Sequence, residues 1–234
     1  MSKNKYSQKL ITLNSEIFKP LELYLQCTHN DQCFTCDKNI KGIFNFPSKT
    51  KKVIVIGDIH GDLESLLICL LKANIINDSF EWIANDTIVI QMGDILDRGG
   101  RLNSIDTENE CEELHIIQFL EHINNKAQEK GGKMLCLLGN HELMNIFGDF
   151  RYTSKNTNKC FNDRKEIFKQ GSNMAKKLAC LTYGIIKIDD WIFVHGGLLP
   201  HHLRSYNDNP NKFIQYVNNL TYDILNGIKK INKL

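Results

Sequence analysis

The stretch VIVIGDIHGD, residues 53–62, places four apolar residues directly before a cluster of glycine, aspartate and histidine. The run of Val and Ile is typical of a buried strand. Residues 62–75 repeat leucine at helical spacing, which predicts an amphipathic helix behind the strand. A strand that ends in charged residues and leads into a helix is the arrangement in which α/β sheets bind ligands.

The same alternation of strand and helix continues along the chain and predicts an α/β layered domain. We place this domain at residues 51–234 and interpret residues 1–50 as an N-terminal arm packed on it. Further elements are predicted as strands at 87–94 and 133–142, a pair of strands at 183–197 with a tight turn at Asp189–Asp190, and helices at 108–132 and 211–231.

The composition excludes several classes of protein. The 234 residues are 42% hydrophobic and 24% charged, as expected for a globular domain with a substantial core. A net charge of +2 gives no strong basic field, so we expect no nucleic-acid partner. No apolar run approaches the about 18 residues that cross a membrane, and the first ten residues lack the apolar centre of a secretory signal. We therefore expect a cytoplasmic location, no membrane contact, and reduced thiols at all eight cysteines.

Polar residues recur where the predicted strands end. Three strands end in GDIHG (57–61), GDILDRG (93–99) and GNHE (139–142), and a fourth ends in WIFVHGG (191–197). Because ligands bind beyond the carboxyl ends of strands in such sheets, we expect these residues to converge on one face. The converging set is Asp58, His60, Asp94, Asp97, Arg98, Asn140, His141 and His195.

Such a set would be costly to bury without a partner, and a pair of divalent cations removes that cost. Oxygen and imidazole donors without thiolate suit Mn, Fe or Zn in a catalytic site. Two such ions about 3.5–4 Å apart can hold a bridging hydroxide and clamp a phosphate for in-line attack. Arg98 offers a planar fork that matches phosphate oxygens. His141 could protonate the leaving oxygen, with Asp97 fixing its tautomer.

The motifs GDIHG, GDILDRG and GNHE, in this order and followed by VHGGL (194–198), resemble the phosphoprotein phosphatase branch of the calcineurin-like metallophosphoesterases. GNHELMNIFGDFRY (139–152) and the long interval between the second and third motifs are similar to the Shewanella-like phosphatase subgroup. The resemblance covers about residues 53–200. It implies an α/β fold with a layered β-sandwich flanked by helices, and a dinuclear phosphomonoesterase that acts on phosphorylated Ser/Thr or Tyr side chains of proteins.

The resemblance also implies how the two metal ions are held. Asp58 and His60 would bind the first ion, Asn140 and His195 would bind the second, and Asp94 would bridge both.

The remaining implied roles concern substrate and proton transfer. Arg98 and Asn140 would bind the substrate phosphate, and His141, backed by Asp97, would be the general acid. Arg151 is a further substrate-binding candidate in the loop that follows the third motif, where Tyr152 either faces the substrate or anchors the loop.

One part of the family pattern is missing from this sequence. The family supplies a further histidine to the second metal and another phosphate-binding arginine from beyond the HGG motif. Here 39 residues follow His195, and the later histidines are His201 and His202, too close in sequence to come from a separate strand. We therefore expect a domain that is short at its C-terminus, with a complete first metal site and a second site that lacks one ligand.

Two other functions stay open. The same metal pair would serve a hydrolase of dinucleoside polyphosphates or RNA caps. Alternatively, the missing histidine would leave a phosphate-binding or protein-binding remnant without turnover.

The cysteines carry two further expectations. Cys27, His29, Cys33 and Cys36 form either a small structural zinc site or ordinary reduced thiols. Cys69, Cys111, Cys136 and Cys180 lie in apolar contexts and are expected to be buried.

Overall fold

A computed structural model describes residues 4–26, 42–46, 52–99, 111–206 and 209–231. Within these ranges the chain forms two β-sheets with helices packed against them. No helix in the described ranges combines the length and the apolar composition needed to cross a membrane.

The larger sheet is entirely parallel and positions most of the polar motifs. Its strands, in spatial order, are β2 (Val53–Ile56), β3 (Ile88–Gln91), β4 (Lys133–Leu137) and β5 (Thr182–Tyr183). Parallel neighbours need crossover connections. Helix α3 (Leu63–Lys72) follows β2, and helix α4 (Glu112–Glu129) lies between β3 and β4 in sequence. The α/β interpretation of the sequence is thereby confirmed.

The smaller sheet has the order β1 (Ile43–Phe44), β6 (Ile185–Ile188) and β7 (Trp191–Val194). Strands β6 and β7 form the predicted antiparallel pair, which turns at Asp189, where φ is 49°. Strand β1 pairs in parallel with β6. Two residues of the segment before β2 thus become part of the second sheet.

The remaining helices pack around the two sheets, and they include the first and last elements of the described chain. They are α1 (Lys5–Leu13), α2 (Leu21–Tyr24), α5 (Asn140–Ile146), α6 (Thr157–Cys160), α7 (Arg164–Phe168), α8 (Asn173–Leu181), α9 (Pro200–Arg204) and α10 (Pro210–Leu225). Leu10, Leu21 and Tyr24 of the first two helices belong to the main core cluster. The division of the chain at residue 50 stays a prediction.

Two apolar clusters give the molecule its layers. The larger one joins the helices to one face of the larger sheet. The smaller one lies between the two sheets and consists of Ile88, Ile90, Leu135, Leu137, Ile186 and Ile188. The stacked sheets and outer helices are the layered arrangement that the sequence predicted.

The prediction that β2 is a buried strand is wrong for one of its two faces. Val53 and Val55 are 37% and 50% exposed. They pair in register with Ile88 and Ile90, which the second sheet covers. Because β2 is the edge strand, the second sheet covers β3 and β4 and stops short of it.

The expectation of reduced thiols is also wrong for part of the chain. Cys111 and Cys160 form a disulfide, with Cα atoms 5.3 Å apart, and Cys180 is disulfide-bonded as well. Cys136 is buried as predicted, whereas Cys69 is exposed. The possible zinc ligands Cys27, His29, Cys33 and Cys36 lie outside the described residues.

Candidate metal centre

The carboxyl ends of β2, β3 and β4 lie side by side, and β7 adds a fourth loop. Asp94, which is 4% exposed, lies in the middle of the loops. Its Oδ2 is 3.8 Å from His60 Nε2 and 3.9 Å from His141 Nε2, and its Oδ1 is 3.4 Å from His195 Nε2. Asp58 Oδ2 is 3.8 Å from His60 Nε2. The structure therefore brings residues from four separate motifs into one cluster.

Two overlapping groups of side chains have the spacing to hold a metal ion. His60, Asp94 and His141 form one group and Asp58, Asp94 and His195 the other, each with its ligand atoms within 4.8 Å of one another. Asp94 belongs to both groups. The grouping differs from the one that the family resemblance implies, because His141 replaces Asp58 in the first group.

Asn140 lies next to the second group. Its Oδ1 is 2.9 Å from Nε2 of His195. Carboxylate, amide and imidazole donors together suit a divalent cation of the first transition row. The donor set at this edge therefore fits two such ions.

Hydrogen bonds fix the tautomers of two histidines. Nδ1 of His60 lies 3.0 Å from the Leu96 carbonyl oxygen, and Nδ1 of His195 lies 2.8 Å from that of Met92. A carbonyl oxygen only accepts, so each Nδ1 carries the proton and donates it. Each Nε2 then faces Asp94, and that of His195 also faces Asn140 Oδ1, so a cation between these atoms would bind lone pairs that otherwise oppose each other.

His141 is held in a different way. Its Nδ1 lies 2.8 Å from Asp97 Oδ2, so a carboxylate accepts from this ring and fixes its tautomer and orientation. Burial raises the pKa of Asp97, while the hydrogen bond from Asn145 and the charge of Arg164 oppose that shift. The ring of Tyr152 lies 5.1 Å from the ring of His141. His141 is therefore fixed in orientation, with its Nε2 on the side of Asp94.

The loops hold three of these residues in the left-handed region of the backbone. The φ angles are 47° at His60, 55° at Asp94 and 70° at Asp97. Non-glycine residues rarely adopt this conformation, and it persists only where surrounding contacts enforce it. The Asp94 carbonyl accepts the N–H groups of Ile59 and His60 at 3.1 and 2.9 Å. These two hydrogen bonds link the second loop to the first and help to keep Asp94 in this conformation.

Two glycines let the loops approach each other. Gly93 has a φ of +96°, and a Cβ there would lie 2.7 Å from the Gly139 nitrogen and 2.9 Å from His195 Nδ1. A Cβ on Gly139 would lie 2.2 Å from Asp94 Oδ1. Any side chain at either position would displace a candidate metal ligand.

Glu142 lies within the cluster of loops, and the sequence analysis did not assign it a role. Its fully buried carboxylate accepts the N–H groups of Asp94, Ile95, Leu96 and Gly139 at 2.8–3.0 Å. Burial raises the pKa of Glu142 to about 7, although these amide donors lower it. The carboxylate binds the Asp94 loop to the start of α5. The E of GNHE was the available sequence signal.

Each of the two predicted phosphate-binding arginines forms an ion pair with an aspartate that is not a candidate metal ligand. Arg98 Nη1 lies 2.7 Å from Oδ2 of Asp62, the residue that caps α3. Arg151 is 73% exposed in its side chain and pairs with Asp149 at 2.7 Å. Tyr152, rather than Arg151, contacts the cluster through His141.

The two later histidines lie on α9. The rings of His201 and His202 are 4.2 Å apart. Among the described residues, neither belongs to a group that could hold a metal ion.

Comparisons with known proteins point to one family. A model of that family, described as calcineurin-like phosphoesterase, matches residues 51–230. The Shewanella-like protein phosphatase 2 of Arabidopsis thaliana is 45% identical over 107 residues, which cover 46% of this chain and 25% of that protein. The Shewanella-like protein phosphatase 1 of Plasmodium berghei is 31% identical over 154 residues, which cover 63% of this chain and 39% of that protein.

Solved structures show the same fold. The crystal structure of a cold-active protein-tyrosine phosphatase of a psychrophilic Shewanella species superposes with a TM-score of 0.61 at 24% identity, covering 77% of this chain and 51% of that chain. The chain thus spans between a quarter and about half the length of these proteins.

Proposed function

Because the chain belongs to the calcineurin-like phosphoesterase family, we propose that it hydrolyses phosphate monoesters with the help of two divalent metal ions, Mn, Fe or Zn. One observation carries the proposal: Asp94 is shared between two groups of potential ligands at the rim of a parallel sheet. A shared carboxylate is what two neighbouring ions require. The tautomers of His60 and His195 support it further.

The metal ligands in this proposal are Asp58, His60, Asp94, Asn140 and His195. His141, although it belongs to one of the two groups, is assigned to proton transfer because Asp97 binds its Nδ1. When bound, the ions supply a Lewis acid that polarises phosphoryl oxygens and lowers the pKa of water. Glu142 keeps the Asp94 loop in place for this task through its contacts with backbone N–H groups.

The proton for the leaving group comes from His141 in this proposal. Nδ1 of its ring is engaged by Asp97, so Nε2 is the atom that donates. The buried carboxylate of Asp97 behind the ring fixes its tautomer and orientation.

The substrate phosphate is bound by Arg98 and Asn140, with Arg151 at the exposed side. Arg98 forms an ion pair with Asp62, so its guanidinium has to share or exchange that partner when phosphate arrives. The planar fork has enough donors to contact both at once. Arg151 lies next to Tyr152, which already touches the acid His141.

We further propose a phosphorylated protein side chain, Ser/Thr or Tyr, as the substrate. The relatives from Arabidopsis thaliana and Plasmodium berghei carry the name protein phosphatase, and the similar solved structure is a protein-tyrosine phosphatase.

The test is phosphate release from p-nitrophenyl phosphate and from phosphotyrosine and phosphothreonine peptides, with Mn²⁺ added. We expect turnover that a chelator abolishes and that Asp94→Asn lowers by at least about 10²-fold, because several kcal/mol of transition-state stabilisation is lost. Asp78→Asn changes an exposed aspartate and is the matched control. No turnover with Mn²⁺, Fe²⁺ or Zn²⁺, or an Asp94→Asn variant as active as wild type, would refute the proposal.

A further inference from the structure

Arg164 begins helix α7 and is buried, with a side chain that is 5% exposed. Its guanidinium carbon lies 5.1 Å from the centre of the Phe161 ring and 5.0 Å from that of Phe168. A buried guanidinium is costly unless anions and hydrogen-bond acceptors compensate it. The groups that bind the Arg164 guanidinium therefore indicate its role.

Those partners surround the carboxylate behind His141. Nη2 of Arg164 donates to Asp97 Oδ1 at 3.2 Å and to Glu113 Oε2 at 2.8 Å, and Nε donates to Asn145 Oδ1 at 2.6 Å. Asn145 Nδ2 in turn donates to the same Asp97 Oδ1 at 2.9 Å. Two donors thus fix one oxygen of Asp97, and the other oxygen stays with Nδ1 of His141.

Glu113 extends the hold of Arg164 to the backbone. Its Oε1 accepts the N–H groups of Asp97 at 3.1 Å and Arg98 at 3.3 Å, while its Oε2 accepts from Arg164. Asp97 is in the left-handed region, with a φ of 70°, and needs such contacts to stay there. Arg164 therefore constrains both the side chain and, through Glu113, the main chain of Asp97.

We propose that Arg164 is a positioning residue for proton transfer to the leaving group, acting through Asp97 on His141. The proposal rests on the proposed function, in which His141 is the general acid. Lysine is not expected to replace the arginine, because a planar fork is needed to reach Asp97, Glu113 and Asn145 together.

The first test compares leaving groups. Phenolate is a far poorer leaving group than p-nitrophenolate, so hydrolysis of phenyl phosphate depends more on a well-placed acid. We expect Arg164→Gln to lower kcat on phenyl phosphate by about 10²-fold and on p-nitrophenyl phosphate by less than about 10-fold. Arg164→Lys is expected to show the same selectivity in weaker form, because it keeps the charge but not the fork.

The second test needs no turnover. The Nδ1 proton of His141, hydrogen-bonded to Asp97, is expected as a downfield proton NMR signal that His141→Asn removes. In Arg164→Gln and Arg164→Lys this signal should shift or disappear. Lys165→Gln alters the next residue of the same helix, which is exposed, and should keep both the signal and the kinetics of wild type.

The outcomes separate the two proposals. Equal losses on both substrates with an unchanged Nδ1 signal would show that Arg164 only supports the fold, and would overturn its positioning role. If wild type releases no phosphate at all, the proposed function fails, and the NMR comparison alone decides whether Arg164 holds the His141–Asp97 pair. A lost or shifted signal supports the role, and an unchanged signal refutes it.

Discussion

Hydrogen bonds within the protein hold Asp94 in place without any contribution from a bound ion. Glu142 accepts its N–H, its carbonyl accepts two N–H groups of the first loop, and its Oδ1 accepts the N–H of His141 at 3.0 Å. These contacts keep the residue in a conformation that costs energy, with φ at 55°. The carboxylate is therefore pre-positioned for two ligand groups, as a precise metal centre requires.

Single residues differ in how far the sequence reveals them. Asp58 and His60 stand directly behind an apolar run, so a local pattern indicates them. Arg164 shows no such signal, because its importance depends on Asp97, 67 residues away in sequence. Glu142 belongs to a visible motif, but its partners lie 46 to 48 residues earlier in the second loop. Contacts of this kind follow only from the folded chain.

Glu112, at the start of α4, predicts a pH dependence of stability. One of its carboxylate oxygens is buried without a hydrogen-bond partner, and burial raises its pKa from 4.5 to about 7, against the opposing charge of Arg98. Between these two values the folded chain keeps a proton that the unfolded chain has lost. The free energy of unfolding therefore falls as the pH rises from about 4.5 to about 7.

We expect Glu112→Gln to remove this pH-dependent loss of stability. The midpoint of thermal unfolding should rise by a few degrees at pH 8 and by less at pH 4. Thermal unfolding at the two pH values measures the effect. Glu22→Gln, at an exposed site on α2, is the control. A Glu112→Gln effect that is the same at both pH values would contradict the explanation.

The start of α5 shows how an element boundary is set. The sequence predicted a strand over 133–142, but β4 ends at Leu137 and α5 begins at Asn140. Gly139 is the N-cap, in extended conformation, and the Glu142 side chain accepts its N–H as in a capping box. An acidic residue three positions after the N-cap was a readable signal for this helix. The boundary matters because it presents Asn140 and His141 in the first turn.

The link between α4 and α6 could not be read from the sequence. Cysteine pairing depends on the distance between Cα atoms, here 5.3 Å for Cys111 and Cys160, and local apolar context does not reveal it. The disulfide joins the segments that carry Glu113 and Arg164. It therefore holds the start of α4 close to the segment that leads into α7, whose Arg164 meets Glu113 behind Asp97.

Removal of this disulfide should lower stability. Its two cysteines are 49 residues apart in sequence, and closing a loop of that size typically stabilises a fold by about 2–4 kcal/mol. We expect Cys160→Ser to lower the free energy of unfolding by that amount in urea denaturation. Cys69→Ser, at an exposed free cysteine, should change it little. Equal stabilities of Cys160→Ser and the oxidised wild type would show that the bond does not constrain the chain.

At the scale of the whole molecule, the alternation of strands and helices was sufficient to predict an α/β layered fold. The partner layer was harder to predict. Strand β1 has two residues, too few for a periodic pattern, yet it joins the second sheet. Val53 and Val55 remain exposed because the second sheet does not extend over β2. The apolar sequence of β2 alone does not reveal this.

The convergence of four loops also predicts how many ions the molecule binds. The most direct measurement is elemental analysis of the purified chain after loading with Mn²⁺ and dialysis. We predict two ions per wild-type chain, the loss of both in Asp94→Asn because its oxygens serve both ligand groups, and the loss of one in His195→Asn. A wild-type chain that retains no ion, or an Asp94→Asn chain that retains two, would contradict a shared metal centre at this sheet edge.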